Sequence, residues 1–165
     1  MKKLNRKGFT LIELLAIIVI LAIIMVVTIP TVLTSMNNAR ANQLQNAVDS
    51  VSEWFTKQYE LASMGSFAGG PDAAFTTFVG STGFTSINDS TKKKDLTVAV
   101  LEAAGIANAE ENIDITSGKS YVYYNTAKKK MCVQLTAKST GSFYVNGGDS
   151  TNDKEDNVDQ SSGCK

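Results

Sequence analysis

The chain contains no histidine. That removes the commonest general base and metal ligand at neutral pH, and with it any Ser-His-Asp or Cys-His arrangement in its usual form. Cysteine is scarce: Cys132 and Cys164 are the only two, too few for a zinc site of four Cys or His ligands. They allow one disulfide, which would imply an oxidising compartment outside the cytoplasm. Without histidine no activated nucleophile can be named among the plentiful Ser, Thr and Tyr side chains. The sequence therefore supports no enzyme, and it calls for no cofactor and no metal. An excess of either charge is also missing, with 16 basic and 16 acidic residues in 165. Lys2, Lys3, Arg6 and Lys7 precede the first apolar run, and without them the balance is 12 basic to 16 acidic. No nucleic-acid partner is predicted from that balance, although it leaves a local basic patch open. The length is that of one domain, or of a small domain with an appendage.

What is present in excess is apolar surface near the N-terminus. Phe9 to Ile29 reads FTLIELLAIIVILAIIMVVTI, a run of 21 residues in which Leu14 to Val27 carry no polar side chain. As a helix it would be about 31 Å long, the thickness of a bilayer's hydrocarbon core. A core helix of a small soluble protein would show a polar face, and this run is apolar all round. Four basic residues precede it and the next stands at Arg40. By the positive-inside rule residues 1–8 face the cytoplasm and the chain beyond about Pro30 lies outside. A secretory signal peptide would have a shorter apolar stretch and a small-x-small cleavage site after it. Thr28-Ile29-Pro30 is a poor one, so the run is expected to stay with the mature protein.

Two residues interrupt the pattern. Glu13 places a carboxylate inside the run, where ionisable groups usually mark function. Pro30 has no N–H and is expected to end or kink the helix. With these residues the stretch Lys7-Gly8-Phe9-Thr10-Leu11-Ile12-Glu13-Leu14-Leu15 resembles the processing site of type IV pilins and their pseudopilin relatives. The resemblance implies that prepilin peptidase cuts between Gly8 and Phe9 and N-methylates the new terminus, giving N-methylphenylalanine at Phe9. It implies that Glu13 pairs with the α-amine of a neighbouring subunit during assembly, and that Pro30 is the helix-bending proline many members have. The partners it implies are prepilin peptidase, the pilus assembly machinery, the membrane and further copies of the chain in a helical filament. A buried carboxylate favours a nearby cation, and the cut would free an amine at the same depth. In lipid, helix packing needs such polar assistance.

Beyond Pro30, Leu33, Met36, Leu44, Val48, Val51, Phe55, Tyr59 and Ala62 recur at helical spacing, with polar residues between them. One helix is expected from about Phe9 to about Ala62, stopped by Gly65. The aromatics Trp54, Phe55 and Tyr59 are expected to pack that helix on a sheet. Gly69-Gly70-Pro71-Asp72 is a turn signal in a connection rich in Gly, Ser and Thr. Asp95 and the run Leu96–Ala104 before Gly105 read as a short capped helix, and Lys92-Lys93-Lys94 as a solvated turn. Ser120–Tyr124 and Met131–Ala137, joined through Lys128-Lys129-Lys130, read as a hairpin, with Ser142-Phe143-Tyr144-Val145 as a third strand. The tail from Asn146 is polar and acidic. A calcium site there is conceivable, but Val158 stands where an EF-hand loop wants Gly, and a solvated loop is expected. Cys132 and Cys164 resemble the pair that bounds the C-terminal loop in many type IV pilins.

The expected fold is α+β and pilin-like, a long N-terminal helix packed on a small antiparallel sheet. Four regions are expected: a leader (1–8), a transmembrane and assembly helix (9–30), an amphipathic helix of the head (31–64) and the remaining α/β loop, sheet and tail (65–165). The expected function is a structural subunit of an extracellular type IV pilus. A pseudopilin of a secretion or DNA-uptake machine is the first alternative. A monomeric signal-anchored domain is the second, and it leaves Glu13 unexplained.

Overall fold

A computed structural model describes residues 9–64, 70–80, 87, 92–145 and 158–164. The chain divides into two compact units, Met1–Asn38 and Ala39–Lys165. A single helix, α1 (Leu11–Met64), contributes to both. It does not end at Pro30, which lies inside it. The expected stop at Gly65 falls outside the described residues.

In the first unit every large apolar side chain of α1 is exposed, from Leu11 through Met36. In the second, Leu44, Ala47, Val48, Val51, Phe55 and Gln58 form one buried stripe. Their three- and four-residue spacing puts them on one face of a 3.6-residue period. Leu33, Met36 and Ala62, expected on that face, are exposed, so the stripe that packs is shorter than the sequence pattern.

The sheet is antiparallel throughout, in the order β1-β2-β3-β4. Its strands are β1 (Lys94–Asp95), β2 (Tyr121–Asn125), β3 (Lys130–Thr136) and β4 (Val158–Gln160). The hairpin is β2–β3, in register from Tyr121↔Gln134 to Asn125↔Lys130, and Lys129 closes its turn at φ 53°. Alternation along β3 turns Met131, Val133 and Leu135 to the core, with Val122 from β2. The α1 stripe meets this face: Ser52 Oγ donates to Met131 O (3.3 Å) and the Tyr59 and Tyr124 rings lie 5.8 Å apart.

Two expected elements are corrected. Ser142–Val145 is not a strand. Its backbone is held elsewhere, with Ser142 N and Oγ both donating to buried Asn112 Oδ1 (2.9 and 2.8 Å) and Arg40 donating to Tyr144 O. The flanking places in the sheet go to β1 and β4, from stretches expected to be a turn and a solvated loop. Asp95 does not cap a helix either. It sits in β1 and accepts from Ser117 Oγ (2.7 Å) and Gly118 N (2.9 Å), while α3 (Val98–Ala103) starts from Thr97 without a side-chain cap.

Two short helices complete the head. The turn at Pro71-Asp72 launches α2 (Ala73–Val79), with Asp72 Oδ1 accepting from Ala74 N. Phe75 and Phe78 of α2 pack edge-on against Phe55, and Trp54 stands 6.1 Å from Phe75. Gln58, buried on α1, ties the two helices by accepting from Asp72 N at 2.7 Å. Next to α4 (Ala109–Asn112), Gly141 allows a close crossing. A Cβ there would lie 2.8 Å from both Asn112 Cα and Glu111 O.

Candidate processing and assembly site

The site is built at the start of α1. Thr10 precedes the first helical residue, Leu11, and Glu13 is the third. Thr10 N and Thr10 Oγ1 both donate to Glu13 Oε2, at 2.8 and 2.9 Å, and Glu13 N donates back to Thr10 Oγ1 at 3.4 Å. This reciprocal arrangement is a capping box, which satisfies backbone donors a helix start leaves unpaired. The Thr-x-x-Glu spacing is written in the sequence, yet reading Glu13 only as an intermolecular group passes over Thr10. The carboxylate also favours the N-terminal end of the helix dipole.

Both bonds fall on one oxygen. Oε1 of Glu13 has no partner among the described residues. Phe9 is 83% exposed and is not bonded to Glu13. Gly8 and the rest of the expected leader lie outside the described residues, so only the Phe9 side of the expected cleavage point is described.

The helix that follows is long and apolar enough to cross a membrane, and none of its most apolar window is buried within the chain. Its few polar groups are satisfied internally. Thr28 Oγ1 donates to Ile24 O (2.9 Å), Thr31 Oγ1 to Thr28 O (2.8 Å), Thr34 Oγ1 to Pro30 O (3.0 Å) and Ser35 Oγ to Thr31 O (3.0 Å). Hydroxyls bonded back to their own helix suit a medium without water. Around Pro30, which cannot donate, the surface is therefore apolar and hydroxyl-closed.

Residues 3–29 carry the prokaryotic N-terminal methylation motif. This motif is the class III signal of type IV pilin-like proteins, and it marks pilin-like and pseudopilin substrates of prepilin peptidase. The family is structural rather than enzymatic, and processing and pilus assembly are what the motif implies. Motif and apolar helix together fit a membrane-anchored precursor. No curated protein and no solved structure matches the chain.

The second predicted feature lies in the head. Cys132 on β3 and Cys164 after β4 form a disulfide, with Cα atoms 5.8 Å apart. Beside it Ser161 N donates to Val133 O (2.9 Å) and Val133 N to Ser161 Oγ (3.1 Å), so the end of the chain is held by the bridge and by β3. Of the acidic tail, only Asp159 is described. It lies in β4, and no group of acidic residues able to hold a metal occurs among the described residues.

Proposed function

We propose that this protein is a structural pilin. Its leader is removed after Gly8, Phe9 becomes N-methylated, and the subunit waits in the cytoplasmic membrane with its N-terminus inside. It then assembles through residues 9–30 into an extracellular type IV pilus. The observation that carries this reading is the contrast within α1 behind a methylation motif: an apolar surface exposed on every side from Leu11 to Met36, next to a stripe that folds its own head. Such a surface is soluble only in lipid or against copies of itself. Glu13 fits the amine-pairing role, because Thr10 occupies Oε2 and leaves Oε1 for the α-amine of a neighbouring Phe9. Pro30 is the proposed bend.

A pseudopilin is the second reading. The Cys132–Cys164 bridge favours the pilin, since pseudopilins of this resemblance often lack such a pair.

The test is mass spectrometry of the N-terminal peptide from membranes and from material sheared off cells. N-methylated Phe9 in the sheared fraction is the expected result. The same terminus confined to membranes would favour the pseudopilin, and an intact Met1 leader in both fractions would overturn the processing assignment. Glu13→Ala should keep cleavage and lose filaments, and a bulky residue at Gly8 should leave an uncut precursor.

A further inference from the structure

Ser142–Val145, the segment expected to join the sheet, is locked in place without being a strand. Gly141 crosses α4 so closely that a Cβ would meet the Asn112 backbone, and Asn112 Oδ1 accepts from both the N–H and the hydroxyl of Ser142. Tyr144 N donates to Gly141 O at 3.3 Å, and from α1 Arg40 Nη1 donates to Tyr144 O, also at 3.3 Å. Three large apolar side chains follow one another on this held loop. Phe143, Tyr144 and Val145 are each only half-buried, the first two resting one side on the core.

Arg40 stands one helical turn before Leu44, the first buried residue of the α1 stripe, and one turn after Met36, which ends the exposed apolar stretch. From Leu11 to Arg40 the chain makes about 44 Å of helix. A bilayer counted with its headgroups is about 40–45 Å thick. A helix that begins at one headgroup layer with Leu11 therefore has Arg40 at the other, and Arg40 is bonded to the loop that carries Phe143–Val145.

We propose that Phe143, Tyr144 and Val145 seat the head on the lipid headgroup layer of the outer leaflet while the subunit is stored in the membrane. The inference rests on the membrane-stored precursor proposed above. Tyrosine suits that layer because its ring is apolar and its hydroxyl is polar, so one end meets acyl chains and the other meets water. A loop already fixed by Asn112 and Arg40 presents its side chains without an ordering cost on contact. Three half-buried side chains are far too small a patch for a stable protein interface, whereas along the chain they adjoin the stretch suited to lipid.

The experiment uses the full chain reconstituted in phosphatidylcholine vesicles. Part of the lipid is brominated, either near the headgroup end of the acyl chain or near its methyl end. Trp54→Phe/Tyr144→Trp carries its single tryptophan on the loop, and the parent carries its own at Trp54, well beyond Arg40 on α1. The loop tryptophan should shift its emission to the blue on reconstitution and be quenched more by the shallow bromines than by the deep ones. Trp54 in the parent should be quenched by neither. Phe143→Trp in the Trp54→Phe background is a second probe of the same loop, read in place of the first if a melting curve shows that the first does not fold. A chain that fails to float with the vesicles would overturn this proposal and the membrane reading together. A chain that floats but shows no quenching on the loop, equal quenching by deep bromines, or equal quenching of Trp54 would overturn the seat alone. A blue shift without quenching that grows with the protein-to-lipid ratio would assign the loop to a second copy and overturn the seat as well.

Discussion

Within one helix, Ile23 and Val26 are 62% and 75% exposed, while Val48, Val51 and Phe55 are 0% exposed. The residue types are alike, so hydrophobicity alone does not separate the two stretches. The arrangement around the helix does. From Leu14 to Val27 every position is apolar, and a small head can cover only one side of a cylinder. From Leu44 to Phe55 polar residues fill the faces between, so one stripe faces the sheet and the rest faces water. An apolar surface that its own chain leaves uncovered is made for another solvent.

Truncation of a large side chain tests the contrast most strongly. Phe55→Ala removes a ring packed against Phe75 and Phe78 and should cost the head about 3–5 kcal/mol. Ile20→Ala, on the same helix, should leave head stability unchanged to within about 0.5 kcal/mol. Denaturant titration read by Trp54, the single tryptophan, reports both. Equal losses would show that the N-terminal stretch helps fold the head.

The disulfide should come next. Cys132→Ser/Cys164→Ser opens a link across a sequence separation of 32, worth about 3–4 kcal/mol by the chain-entropy account. The loss belongs to the head, and insertion of residues 9–30 in membranes should not change. A variant as stable as the parent would leave β4 held by its hydrogen bonds alone.

Thr10→Val should have a smaller effect, confined to the other stretch. Loss of the cap should weaken the first turn of α1 by about 0.5–2 kcal/mol, visible as faster amide exchange at Leu11–Glu13. Head stability should not move. If the amide exchange is unaltered, the Thr10 backbone contact to Glu13 is sufficient.

Asp114 gives the finest test. Hydrogen bonds from the Thr116 hydroxyl and then the Thr116 N–H hold its carboxyl below the ordinary carboxylate range, with Lys119 and Lys138 adding attraction. A lowered folded pKa contributes stability above the unfolded value, near pH 4, and that contribution is lost as pH falls through the lowered one. Asp114→Asn should therefore melt about 2 °C below the parent at neutral pH, with the gap closing at strongly acid pH. A gap independent of pH would assign the effect to geometry rather than charge.

How much of this was legible depended on range. The hairpin was readable because Ser120–Tyr124 and Met131–Ala137 are β-type runs joined through a short lysine-bearing turn, a local pattern. The strand expected at Ser142–Val145 was not there, because Ser142 is claimed by Asn112, a contact across 30 residues, and Tyr144 O by Arg40. β1 and β4 are two and three residues long, below the length at which periodicity says anything. Thr10 was readable in principle, since the capping box is a four-residue pattern.

By itself the sequence determined the apolar segment, its uncovered faces, the acid inside it and the place where processing is expected. The first three follow from composition and spacing within a few turns of one helix and the fourth from the resemblance to type IV pilins, and no fold is needed to state them. Tertiary structure alone decided that Cys132 meets Cys164 and that the α1 stripe begins at Leu44 rather than Leu33. Each depends on strand register and chain reversal, which are set by the packing of residues distant in sequence, and that packing is not written in any single window of the chain.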